Sequence, residues 1–174
     1  MNAIALLNNP LLAASGLEMN VSRLDFGRLK HKYTGSSEAE MSVRDWDMAE
    51  LEYRRFLTLK CFYPAIALVP SKAVDAIWHA HILDTRAYRE DCNQVFGRFI
   101  DHYPYFGIYG KDDYQELTSA FSQTVSLYEK HFGAYPGGGE EAQAMRCGDD
   151  HSCHAKSSCA CRVSGACKDD LSAY

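Results

Sequence analysis

A chain of 174 residues, 47% hydrophobic and 12% aromatic, has room for one domain with a real core and an appendage. Its net charge of −5, with acids and bases interspersed, lacks the basic footprint of a nucleic-acid binder, so no nucleic-acid partner is expected. No apolar run approaches the ~20 residues needed to cross a bilayer. The leucines at 6, 7, 11 and 12 follow no positive stretch and are interrupted by Asn8, Asn9 and Pro10, so no signal peptide or membrane attachment is expected and the default location is cytoplasmic.

Residues 17–33 carry Leu17, Val21, Leu24 and Phe26 and end in Lys30, His31 and Lys32. That predicts one helix with a basic C-terminus, stopped by Gly35. A second helix is expected over 42–62. Ser42 and Asp45 resemble a capping box, Trp46, Ala49, Tyr53, Phe56, Leu57 and Lys60 form one stripe, and Pro64 ends it. Arg54 and Arg55 flank that stripe and could hold an anion, although nothing in the spacing demands it. Residues 65–70 are a short apolar connector.

The stretch 71–104 is the densest in residues able to do chemistry. Ser71 is the N-cap of a helix running to about Leu83. Val74, Ile77, Trp78, His81 and Ile82 follow the rhythm of a buried helical face, and Asp75 and His79, four apart, share one flank of it. His79 and His81 are only two apart, so on a regular helix they point in roughly opposite directions. Two readings stay open. In one, His81 faces inward and meets His102 from the later loop, while Asp75 fixes the tautomer of His79, as carboxylates do for metal-ligating histidines. In the other, His81 is a core histidine with a hydrogen-bond partner and Asp75–His79 is a surface pair.

Asp84 and Thr85 are placed to cap a further helix with Tyr88, Cys92, Val95 and Phe96 on its buried face and Gly97 as a left-handed cap; Asp91 on its flank can anchor a histidine or a backbone amine elsewhere, or be solvated. Residues 99–110, with five aromatic side chains and His102, read as a loop packed over the core like a lid, with Tyr103, Tyr105 and Tyr109 offering hydroxyls to a pocket beneath. Asp112 and Gln115 read as a capping box before a long amphipathic helix bearing Tyr114, Leu117, Phe121, Val125, Tyr128 and Phe132, which Gly133 ends.

The run D-x-x-W-H-x-H-I-L from Asp75, then Tyr88, Asp91 and Cys92, Phe96 and Gly97, and His102-x-Pro104 resemble the domain of glycine-rich domain-containing proteins over about residues 40–132. The resemblance implies a mostly helical domain and brings no settled activity. Plant members of that family carry a long glycine-rich region; this chain has only Gly137, Gly138 and Gly139 there.

Residues 134–139 read as a linker, and 140–174 lack the large aliphatic residues a core needs. Cys61 and Cys92 sit in the helical part as small buried hydrophobes. The other five cysteines, Cys147, Cys153, Cys159, Cys161 and Cys167, lie in the tail with His151 and His154. That donor set suits zinc or copper(I), or redox use.

The expectation is an all-α protein: a compact bundle of five or six helices over 1–133, then a flexible Cys/His-rich tail. Its function is read as metal binding, with a divalent ion such as zinc or iron held by Asp75, His79, His81 and His102, and a metal-binding or redox-active tail. No reaction is named, and whether the protein is an enzyme is left open. The alternatives are an adaptor that presents loop 99–110 to a protein partner, and a carrier whose Cys-rich tail another enzyme modifies.

Overall fold

A computed structural model describes residues 16–136, and among them six helices and no strand. They are α1 (Met19–Ser22), α2 (Gly27–Gly35), α3 (Val43–Phe62), α4 (Lys72–Leu83), α5 (Thr85–Phe96) and α6 (Lys111–Phe132). The all-α expectation holds. The glycines at 137–139 and the tail ligands Cys147, His151, Cys153, His154, Cys159, Cys161 and Cys167 lie outside the described residues.

Helix α3 is the hub, packing against α1, α2, α4 and α6. Its sequence explains this: Trp46, Ala49, Tyr53, Phe56 and Leu57 recur at helical spacing and all are buried, Trp46 and Tyr53 completely. Burying each large side chain stabilises the fold by about 1.5–3 kcal/mol. Ser42 caps the helix as the sequence suggests. Its Oγ accepts from Asp45 N–H (3.1 Å) and donates to Asp45 Oδ2 (2.7 Å).

The single helix expected over 17–33 is two. Glu18 caps the short α1 through the N–H groups of Asn20 and Val21. The chain then leaves helical geometry, because Val21, Leu24 and Phe26 are spaced three and two apart and all three are buried. Asp25 Oδ1 accepts from Gly27 N–H (2.9 Å) and starts the turn into α2. Arg54 makes the break affordable in hydrogen bonds. Its guanidinium donates to the carbonyls of Val21 (2.8 Å) and Leu24 (3.0 Å) and to Glu50 Oε1, while Glu50 Oε2 accepts from Trp46 Nε1–H (2.8 Å). Every donor drawn on is matched, so Arg54 is a buried C-terminal cap for α1, not an anion receptor.

Helices α4 and α5 meet at Asp84, which closes one and caps the other, its Oδ1 accepting from Ala87 N–H. Gly97 ends α5 at φ 65°, as its position predicts. Helix α6 departs from expectation. It starts at Lys111 behind Gly110 with no side-chain cap, and Asp113, not Asp112, reaches back to accept from Tyr109 N–H (2.9 Å). The connector before α4 is tied to α6 by Val69 N–H donating to Thr124 Oγ1 (3.0 Å).

His81 settles into this core. It is 2% exposed, its Nε2–H donates to Asp91 Oδ2 (3.0 Å), and its Nδ1 accepts from Tyr53 O–H (2.9 Å). Asp91 thus anchors a histidine, one of the alternatives its position left open. The rings of Phe26, Tyr53 and Tyr88 stand edge-on around the imidazole. Both nitrogens are engaged, so His81 bridges α3, α4 and α5 as a core residue.

Two predictions follow from this packing. Gly107 sits at φ 86°, and a Cβ there would meet Leu117 Cδ2 at 2.6 Å. Gly107→Ala therefore loses about 2–4 kcal/mol of unfolding free energy in urea titration, combining left-handed strain with overpacking. Burial also pushes the Tyr53 and Tyr88 phenols above their usual value, which is about 10. Above that pH the unfolded chain releases protons that the folded chain keeps, so stability falls as pH rises, by about 1.4 kcal/mol per pH unit for each phenol. Urea midpoints measured from pH 8 to 11 should be flat and then drop, with a shallower drop in Tyr53→Phe.

Candidate metal centre

Helix α4 carries Asp75 and His79 one turn apart, so both project from the same side of its first turns. The loop after α5 brings His102 to that side. Two contacts fix the loop. Tyr88 O–H donates to the Ile100 carbonyl (2.6 Å), and the same hydroxyl accepts from Trp78 Nε1–H (2.9 Å). Two residues further on, the His102 ring packs edge-on against Trp78 with centroids 4.7 Å apart. Tyr88 and Trp78 therefore position His102.

The three side chains converge. His102 Nε2 lies 2.9 Å from Asp75 Oδ1 and 3.1 Å from His79 Nε2, and His79 Nε2 lies 3.7 Å from Asp75 Oδ2. Asp75 is 3% exposed, and the histidines are half-buried. Among the described residues, Asp75, His79 and His102 form a group able to hold a metal ion. For comparison, two ligands ~2.1 Å from a tetrahedral ion stand about 3.4 Å apart. His102 Nε2 cannot donate to Asp75 and accept from His79 at once, because one ring nitrogen carries either a hydrogen or a lone pair. An ion at the centre would be met by a lone pair from each of the three residues.

The sequence reading paired His102 with His81; the structure pairs it with His79. The reason is the helical period. His79 and His81 face apart, and the loop arrives on the side of His79. His81 is taken up by Tyr53 and Asp91 and is not in the group. Nor is Asp75–His79 a surface pair, since the carboxylate is buried.

Asp75 and His102 form one end of a cavity of about 240 Å³, walled by Leu68, Pro70, Trp78, Phe106 and Leu117 and with Lys60 at its side. The Lys60 ammonium stands 5.4 Å from the Phe56 ring centroid and 5.2 Å from that of Trp78. Burial, with help from nearby Arg98, lowers its pKa. The sequence shows Lys60 only as the last member of the α3 stripe; the stacking that brings it to the cavity is tertiary. Of the loop tyrosines, Tyr103 lines the cavity, while Tyr105 and Tyr109 are exposed and do not. The domain cysteines stay thiols: burial, with Glu18 beside it, pushes Cys61 up to about 12, and burial raises Cys92 as well. No helix among the described residues is long and apolar enough to cross a membrane.

Comparison with known proteins agrees with the resemblance read from the tryptophan–histidine run. Over 65 residues the chain is 34% identical to glycine-rich domain-containing protein 1 of Arabidopsis thaliana, a stretch covering 37% of this chain and 8% of that relative. The chain thus spans a small part of that protein's length. No solved structure matches it. The UCP032817-like family model matches residues 19–124, which take in α1 to α5, the loop with His102 and most of α6. The chain therefore belongs to the UCP032817-like family and is akin to the glycine-rich domain-containing proteins.

Proposed function

We propose that this protein binds a divalent metal ion through Asp75, His79 and His102. The observation that carries the reading is the convergence of three ligand atoms on one point: two imidazole Nε2 atoms 3.1 Å apart and a buried carboxylate 2.9 Å from one of them. A buried carboxylate is costly unless it is compensated, and a divalent ion is one group able to compensate it. Two histidines and one carboxylate suit zinc, and the same donor set is that of open iron(II) sites. Three protein ligands leave a further coordination position. Asp75 and His102 also line the cavity, which is where a water or a small ligand would reach the ion. The function is thus metal binding with access for a ligand, and no reaction is assigned.

Zinc titrated by calorimetry into the full-length chain, its accessible thiols first alkylated so that the tail's cysteines cannot compete, tests this. One site should appear. Its affinity should fall at least about a hundredfold in His102→Ala and in Asp75→Asn, and about tenfold in Tyr88→Phe, which releases the Ile100 carbonyl that sets His102. His131→Ala, changing an exposed histidine bonded to Tyr63, should leave it unchanged. Affinity should also weaken on acidification, since ligating imidazoles must be neutral. Equal zinc binding by the wild type and His102→Ala, with folding confirmed by circular dichroism, would end the proposal.

A further inference from the structure

The cavity beside the candidate metal centre has a chemistry of its own. Most of its wall is apolar, and two of its rings, Trp78 and Phe106, are aromatic. Its volume of about 240 Å³ falls below the ~300 Å³ at which drug-sized sites begin, so it suits a molecule of one substituted ring. Its charged lining is Asp75 at the metal end, Lys60 at the side and the exposed Asp101. Among the described residues no carboxylate forms an ion pair with Lys60; its ammonium rests on the faces of Phe56 and Trp78. Arg98 adds a second positive charge in the recess that Lys60 and Asp101 also line.

A half-buried ammonium held on aromatic faces lacks the strong acceptor that an anion provides. His102 and Lys60 both touch the Trp78 ring and both face the cavity. The lysine and two of the three candidate ligands, Asp75 and His102, thus share the wall of one cavity. Asp75 would repel an anion on its own, but a bound divalent cation reverses the sign of that end of the cavity.

We infer that the cavity takes a small aromatic monocarboxylate, its ring against Trp78 and Phe106 and its carboxylate between the Lys60 ammonium and the metal ion. The inference rests on the metal reading of Asp75, His79 and His102 and goes beyond it, because it assigns a ligand class and gives a role to Lys60. A monocarboxylate fits better than a phosphate ester, since a single lysine and apolar walls offer too few donors for a dianion.

The test uses benzoate as probe and the zinc-loaded full-length chain, with ¹⁵N-labelled tryptophan so that the Trp78 indole signal can be followed. Zinc occupancy is measured separately on the same samples. Benzoate should shift the Trp78 signal saturably and leave that of Trp46 in place. Benzamide, its neutral counterpart, and the Lys60→Met variant should each weaken binding about tenfold or more. Lys60→Met keeps the long stem over the rings and should still bind zinc; Lys60→Gln serves as a second variant should the first fail to fold. Zinc-free protein should bind benzoate more weakly than the loaded form. Full zinc occupancy without a Trp78 shift overturns the inference and leaves the metal reading standing, as does benzoate binding unchanged in both lysine variants. Absence of zinc binding overturns both.

Discussion

Two histidines two residues apart on one helix cannot serve one centre, and that constraint organises the molecule. On α4 His79 and His81 are sent to different sides by the helical period. His81 goes into the core, where Tyr53 and Asp91 occupy both its nitrogens. His79 stays on the flank with Asp75, where the loop after α5 delivers His102. Trp78 immediately precedes His79 and joins the two sides. Its indole N–H is bonded to Tyr88, which also packs against His81, and its ring is the surface on which His102 and Lys60 rest. The packing of the core and the geometry of the site share this one side chain.

Hydrogen-bond accounting separates structural polar groups from the candidate functional ones. Arg54 is buried, and its guanidinium meets two carbonyls and a glutamate while that glutamate also serves Trp46. His81 meets one acceptor and one donor, each suited to its tautomer. In both networks donors and acceptors match, which is how buried polar groups come to favour one fold. The Asp75–His79–His102 group differs in that one nitrogen, His102 Nε2, stands within reach of both a carboxylate and a second imidazole.

Much of the fold is legible in the sequence because local chemistry decides it. Ser42, Ser71 and Asp84 cap where their side chains can reach the third N–H beyond, Gly97 adopts the left-handed turn its place requires, and the α3 and α6 stripes keep helical spacing. The break between α1 and α2 is less legible, since the carbonyls it exposes are capped by Arg54 from a helix 30 residues away. The start of α6 is ambiguous in sequence because Asp112 and Asp113 look alike as caps, and the loop decides that Asp113 is used, facing backward. In the site, Asp75, His79, His81 and His102 are visible as candidates from spacing and residue type, but not which of the two α4 histidines belongs with His102. Their grouping depends on which side of α4 the loop crosses, and that is fixed by Tyr88 bonding to Ile100. The role of Lys60 is illegible for a similar reason: a lysine at the end of an aromatic stripe shows its place on the helix and not the ring of another helix beneath it.

The most direct test is zinc-edge anomalous diffraction from crystals of the protein soaked in zinc. One strong peak is predicted within about 2.0–2.2 Å of His79 Nε2, His102 Nε2 and a carboxylate oxygen of Asp75, with His81 still bonded to Tyr53 and Asp91. Zinc found elsewhere, with the two Nε2 atoms remaining in contact and no density between them and Asp75, would contradict the account.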